Sequence, residues 1–159
     1  MSQLRDTVLV LAITTMGLTA GLFAAFAYSV MPGLQRAGAP TAVASMQRIN
    51  VAIINPVFAL VFAGAIVFGA VGVALWWGDP MRWWLVAATV LAVLAVLITM
   101  GINMPLNNRL DAAGTVSAAD APAVWAEFVR PWVQWNIVRA VVSTAGFVVV
   151  AIGLLQTRA

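Results

Sequence analysis

Residues 55–105 read NPVFALVFAGAIVFGAVGVALWWGDPMRWWLVAATVLAVLAVLITMGINMP. Two long apolar runs, at about residues 56–77 and 83–104, are separated by a turn built on Gly78-Asp79-Pro80. Each run is longer than the ~18 apolar residues that mark a helix able to cross a bilayer. A helix bonds its own backbone, which hydrocarbon requires because no water is present to do so. The turn is flanked by Trp76, Trp77, Trp83 and Trp84. Indoles prefer the boundary between lipid and water, so this belt places the turn at one membrane face.

Outward from this hairpin the same pattern recurs. A third apolar run occupies about residues 7–30, and a fourth begins near residue 132 and reaches 155. The whole chain of 159 residues is 64% hydrophobic and 8% charged. Its mean hydropathy is +1.02. The expected fold is all-α, a four-helix transmembrane bundle in one integral membrane domain over residues 1–159. Ala25-Phe26-Ala27 imitates a signal-peptidase site, but the run before it is longer than a signal core and Asp6 flanks it, so a retained first helix is expected. That helix is expected to stop near Met31-Pro32-Gly33. Gly17 and Gly21 sit four apart, a spacing that lets helices approach closely, with packing inside one bundle favoured over dimerisation. A homo-oligomer is left open.

Between the first two runs, residues 40–54 carry Val43, Met46, Ile49, Ile53 and Ile54 at helical spacing. This short extra helix is expected to lie in the membrane interface, to cover the bundle mouth, or to join the second span through a kink at Asn55-Pro56. Pro105 is expected to end the third helix at Met104. Asp120 and Pro122 suit the start of a last helix that breaks or kinks at Pro131.

The chain has no cysteine and no histidine, which removes thiol chemistry and the commonest metal ligand and general base. No metal site is expected, and haem would need Tyr28 or a methionine as an unusual axial ligand. The net charge is +3, too small and scattered for nucleic acid. Lysine is absent, a bias expected of a GC-rich bacterial genome, and a bacterial cytoplasmic membrane is the expected location. Counting arginines puts the loops after the first and third spans in the cytoplasm.

The polar residues that belts and caps leave over fall at one end of the bundle. Gln47, Asn50 and Asn55 follow the first span. Asn103, Asn107 and Asn108 end the third. Trp132, Trp135, Asn136 and Arg139 open the fourth. Trp132, Asn136 and Arg139 lie at i, i+4 and i+7 and so form one stripe. An arginine deep in a spanning helix costs about 2.5–3.5 kcal/mol on insertion scales, and such residues are functional candidates by default. The bland alternative is an interhelical lock of asparagine hydrogen bonds, with Arg139 paired to Glu127 or Asp111. As a site, these groups offer amide and guanidinium donors beside flat aromatic walls, suited to a planar, partly anionic, hydrophobic ligand.

An ordered set of segments resembles the anthrone-oxygenase-like membrane proteins. The set is Gly17-Leu18-Thr19-Ala20-Gly21, Tyr28 to Leu34, Met46-Gln47-Arg48-Ile49-Asn50 and Asn55-Pro56-Val57-Phe58. Asn103-Met104-Pro105-Leu106-Asn107, Trp125, and Trp132 through Asn136 to Arg139 complete it. The resemblance implies an oxygenase that converts an anthrone to an anthraquinone without a cofactor, molecular oxygen being co-substrate. In that reading Asn136 and Arg139 are catalytic, holding an enolate oxygen. Asn103 and Asn107 hold the remaining oxygen substituents, Trp132 and Trp135 sandwich the rings, and Asn50 and Asn55 complete the substrate-binding set. The base is left open between Glu127 and Asp111. The rival expectation is a non-enzymatic binder or carrier of a lipophilic quinone-like molecule, or a small subunit of a membrane complex. Proline interruptions at Asn55-Pro56 and Met104-Pro105 speak for a carrier.

Overall fold

A computed structural model describes residues 2–157. Arg158, one of the arginines counted for orientation, and the outermost ends of the expected 1–159 domain lie outside the described residues. Seven α-helices follow one another among the described residues. They are α1 (Ser2–Ala25), α2 (Met31–Arg36), α3 (Ala39–Ala52), α4 (Pro56–Leu75), α5 (Met81–Ile98), α6 (Met104–Ala112) and α7 (Ala121–Thr157). A π-turn, Phe26–Val30, joins α1 to α2, and another, Thr99–Asn103, joins α5 to α6. These joined helices make four rods long and apolar enough to cross a membrane: Gln3–Arg36, Pro56–Leu75, Met81–Ala112 and Ala121–Thr157. The protein is a multi-pass helical membrane protein. The rods form an antiparallel ring in which α1 packs on α4 and α7, and α5 packs on the same two helices.

The distribution of side chains is inverted relative to a water-soluble bundle. Large apolar residues such as Val10, Leu60, Val67, Leu97, Val141 and Leu155 face outward. Thr15, Thr19, Asn103, Asn136, Arg139 and Ser143 are buried. Lipid accepts the outer apolar surface, and the inside becomes the place where polar groups find partners. Small residues make the contacts close. A Cβ on Gly17 would stand 3.1 Å from Phe147 on α7, whereas Gly21 has nothing near it. Gly17 therefore packs within the bundle, while Gly21 faces open space.

Three expected helix stops are not stops. Met31-Pro32 and Met104-Pro105 each follow a π-turn, in which Met31 N–H donates to Phe26 O and Met104 N–H to Thr99 O, five residues back. Proline lacks the N–H for the bond four residues back, and its ring presses on that carbonyl. The wider π-turn absorbs both defects, so the rods continue. At Pro131, α7 continues without a break. The third and fourth rods therefore extend past the expected residues 83–104 and 132–155, as the first extends past 7–30. At 1.5 Å per residue, the 37 residues of α7 cover about 55 Å, against a hydrocarbon core of about 30 Å.

The extra length stands at one end, where α3 packs on α2, α6 and α7. Its buried face is Ala42, Val43, Met46 and Asn50, and Gln47 Nε2 donates to Leu110 O and Gly114 O at 2.9 and 3.0 Å. The short helix is thus held against α2, α6 and α7. At the opposite end Asp79 Oδ1 accepts from Met81 N–H at the start of α5. Trp77 and Trp83 are exposed there, with the Arg82 guanidinium lying between them. Trp76 is buried beneath Arg5, so the belt explains only part of the tryptophan cluster. Asp120 stands just before α7, but its carboxylate accepts from Ser117 Oγ at 2.6 Å rather than capping the helix through its side chain.

Candidate functional site

Two apolar clusters hold the bundle. One, around Leu9, Met16, Met81, Leu85 and Val150, sits toward the tryptophan turn. The other, around Met31, Met46, Leu110, Trp125 and Phe128, sits under α3. Between them lies a polar layer, and beside that layer a cavity of about 150 Å³.

Arg139 forms the floor. It is 5% exposed, and Nη1 donates to Thr99 Oγ1 at 3.1 Å and Nη2 to Asn136 Oδ1 at 2.9 Å. Its Cζ lies 4.3 Å from the centroid of the Phe23 ring and 5.5 Å from that of Trp132. The guanidinium is therefore held by neutral oxygens and aromatic faces, not by Asp111 or Glu127 as an ion-pair lock would have it. Its Nε is buried without a hydrogen-bond partner among the described residues. Asn136 is fully buried, and its Nδ2 donates to Phe23 O at 3.0 Å. The amide thus ties α7 to α1 and presents its oxygen to Arg139.

The walls are aromatic and amide. Phe23, Phe26, Phe58 and Trp132 line the cavity together with Asn50, Asn107 and Asp111. Trp132 Nε1 donates to Asn107 Oδ1 at 2.6 Å, which fixes the indole plane. The Phe26 ring lies 5.7 Å from it. Asn50 Nδ2 donates to Asp111 Oδ1 at 3.1 Å, so α3 orients a carboxylate carried by α6. Glu127 lines a different hollow, with Arg109 and Leu110. Exposed Ile54, Met104 and Asn108 stand at the mouth.

The expected site residues divide by position. Asn50, Asn107, Trp132, Asn136 and Arg139 line one cavity. Asn103 is buried behind its wall, where Nδ2 donates to Trp132 O at 3.2 Å and Oδ1 has no partner among the described residues. Asn55 is at the surface and caps α4, accepting from Phe58 N–H at 3.0 Å. Trp135 is 38% exposed and does not line the cavity. Tyr28 is 75% exposed and points away from the interior. Phe23, Phe26 and Thr99 were not singled out from the sequence. An aromatic or a threonine inside an apolar run carries no signal of its own. Asp111 was noted, but nothing in its spacing chose it over Glu127. Among the described residues no group of three or more carboxylates converges as metal ligands would.

Chemically, the arrangement offers a buried cation at a floor, planar aromatic walls and a carboxylate on another wall. It can hold a flat molecule, accept a proton from it, and stabilise the negative charge that results. The model of one family, described as anthrone oxygenase, matches residues 46–149, more than half of the chain. The match runs from the second half of α3 through most of α7 and includes every cavity residue except Leu22, Phe23 and Phe26. No curated protein and no solved structure matches the chain.

Proposed function

We propose, for a chain that belongs to the anthrone oxygenase family, that the cavity binds a planar phenolic substrate of the anthrone type and oxidises it to the quinone with molecular oxygen. The observation that carries this is one cavity lined by both the Arg139 guanidinium and the Asp111 carboxylate, with Trp132 and Phe26 as flat walls. An anthrone carries its carbonyl and its acidic CH2 on opposite sides of the central ring. A proton acceptor and an oxyanion donor must therefore come from different walls, as Asp111 on α6 and Arg139 on α7 do.

In this reading Asp111, oriented by Asn50, takes the benzylic proton. The charge moves to the ring oxygen, where Arg139 stabilises it. Asn136 is a positioning residue, since its oxygen is engaged by Arg139 and its Nδ2 holds Phe23 O. Trp132, fixed by Asn107, supports the rings, and Asn103 holds the backbone of Trp132 from behind. The resulting anion is electron-rich enough to reduce oxygen, so the chain's own groups bind, deprotonate and shield. A space of about 150 Å³ takes roughly one benzene-sized ring when closed. The remaining rings lie in the mouth among Ile53, Ile54 and Met104, which open toward lipid. A bacterial cytoplasmic membrane would deliver such a substrate from within the bilayer.

The test is direct. Purified protein in lipid nanodiscs is given an anthrone and the quinone absorbance is followed. Turnover above protein-free nanodiscs that survives chelator treatment supports the reading. Turnover that vanishes after metal removal overturns its cofactor-free form. Tight binding with no turnover transfers the chain to the binder or carrier class.

A further inference from the structure

The seam between α4 and the third rod is closed at one end and parted at the other. Near the tryptophan turn it is tight. A Cβ on Gly72 would stand 3.2 Å from Leu85, and one on Gly69 would overlap Thr89. The same antiparallel pairing, carried toward the other end, sets Leu60 against Leu97 and Val57 against Met100. There all four side chains are more than half exposed. In the opening turns of α4, from Pro56 to Ala63, no residue is buried. α4 packs on α5 but forms no comparable seam with the Thr99–Asn103 π-turn or with α6. The gap is bridged again above, where Asn50 on α3 bonds Asp111 on α6. A window is left between Ile54 and Phe58 on one lip and Met104 and Asn108 on the other, and all four residues line the cavity.

Exposed aromatic residues set the level of this window. Trp77 and Trp83 are exposed at the turn, and Tyr28 and Trp135, which stand outside the cavity, are exposed at the other end. Such residues collect where lipid meets water, so the two groups mark the two faces. From Trp83 to Met104 the third rod rises about 32 Å at 1.5 Å per residue, close to the hydrocarbon thickness of about 30 Å. Met104 and the window thus stand where acyl chains meet headgroups. On the headgroup side the cavity presents Asn107, Asn108 and Asp111, and on the acyl side Phe58. The π-turn, in which Met104 N–H reaches back to Thr99 O, lies at the level where the seam parts.

We propose that the ligand enters and leaves sideways through this window, between α4 and the π-turn, and that the molecule admitted is planar and amphipathic, taken from the acyl–headgroup boundary and not from water. The proposal rests on the cavity being the substrate site of the function proposed above. It adds the route and the class of molecule that the route selects. A ring system with polar edges concentrates at that boundary for the reason indoles do. Its apolar rings slide past Phe58 while its oxygens meet the amides of Asn107 and Asn108. Product leaves by the same path, back into the bilayer.

Two measurements on the full chain in nanodiscs test this, and the lack of native cysteine makes both site-specific. In the first, a nitroxide is attached to Phe58→Cys or to Met104→Cys, one on each lip, with no substrate present. Its relaxation by dissolved oxygen, which concentrates in acyl chains, is compared with that by a neutral water-soluble nickel chelate. Oxygen should act more strongly on both labels. Nickel acting as strongly or more strongly overturns the window, because the cavity then opens to water. In the second, Val57→Cys/Met100→Cys is bridged by a short bis-methanethiosulfonate, and mass spectrometry confirms the bridge. Neither residue lines the cavity, so the bridge bars the window and spares the site. Anaerobic anthrone association and dissociation, followed by tryptophan quenching, should both slow by about tenfold or more, as a barrier on the path requires. The Kd should stay unchanged, and dithiothreitol should restore the rates. Wild-type rates in fully bridged protein overturn the proposal. Anthrone that exchanges through the window but yields no quinone overturns the oxygenase reading and leaves the window standing. Anthrone that does not bind overturns that reading too, and the nitroxide comparison then decides the window by itself.

Discussion

Replacing Arg139 with methionine should remove activity and leave the fold standing. The side chain keeps its length and loses its charge. On the unfavourable side, two hydrogen bonds between helices or along α7 are lost, to Thr99 at 3.1 Å and Asn136 at 2.9 Å. Each is worth about 0.6 kcal/mol in a membrane interior. The two aromatic contacts at 4.3 and 5.5 Å are lost as well, at about 1 kcal/mol each. Few groups are orphaned. Thr99 Oγ1 still donates to Ala95 O, and Asn136 Nδ2 still donates to Phe23 O. On the favourable side, a buried arginine costs about 2.5–3.5 kcal/mol to insert, and methionine does not carry that cost. The two sides cancel to within a kcal/mol or so. Stability, read as the thermal midpoint of the monodisperse protein, should therefore scarcely move. Turnover should fall by about 10²–10³, the usual loss when an oxyanion donor is removed. The assay is quinone formation per folded molecule, with anaerobic anthrone binding recorded in parallel. Collapse of folded yield together with activity would refute the reasoning, because it would make Arg139 an interhelical lock. Full activity in a stable variant would refute it from the other side.

Asp111→Asn keeps a partner for Asn50 but removes the proton acceptor. Its kcat should fall by about 10²–10⁴ with little change in anthrone binding, and formate should partly restore a smaller Asp111→Gly variant. Undiminished kcat would return the search to Glu127. Trp132→Ala removes a cavity wall and the bond to Asn107, so it should raise the KM for anthrone far more than Trp135→Ala, whose ring stands outside the cavity. Equal effects would mean that the cavity as described is not where the rings bind. Gly153→Ala places a Cβ on the Trp84 side chain at the far end of the bundle. It should destabilise the protein by about 1–3 kcal/mol through overpacking and leave activity per folded molecule unchanged, as thermal denaturation and quinone formation would show.

Run length alone made the four rods legible, because only helices satisfy so many backbone groups in hydrocarbon. Their ends were less legible. Met31-Pro32 and Met104-Pro105 read as stops because a missing N–H is local information, whereas a π-turn that absorbs it depends on what the widened backbone packs against. Both π-turns border the cavity, where such bulges frequently lie in functional sites. The polar layer was legible as a cluster, since asparagines and an arginine contrast with their apolar surroundings. Which residue faced inward was harder to read. Trp132 and Trp135 differ by three positions, and lipid accepts an outward indole as readily as the core accepts an inward one, so hydropathy gives no contrast between them. Asn55 shows the opposite problem. Asn-Pro before an apolar run is also the signature of a helix start, and that is the role its side chain takes. Phe23 could be found only once α1 and α7 were placed against each other.

The most direct measurement is oxygen-isotope tracing. Chelator-treated protein in nanodiscs is given an anthrone under ¹⁸O₂, and the quinone is analysed by mass spectrometry. The account predicts one ¹⁸O atom in the new carbonyl, one molecule of oxygen consumed per quinone, and a rate that depends on Arg139. Quinone formed no faster than in protein-free nanodiscs, or equally fast with Arg139→Met, would contradict it.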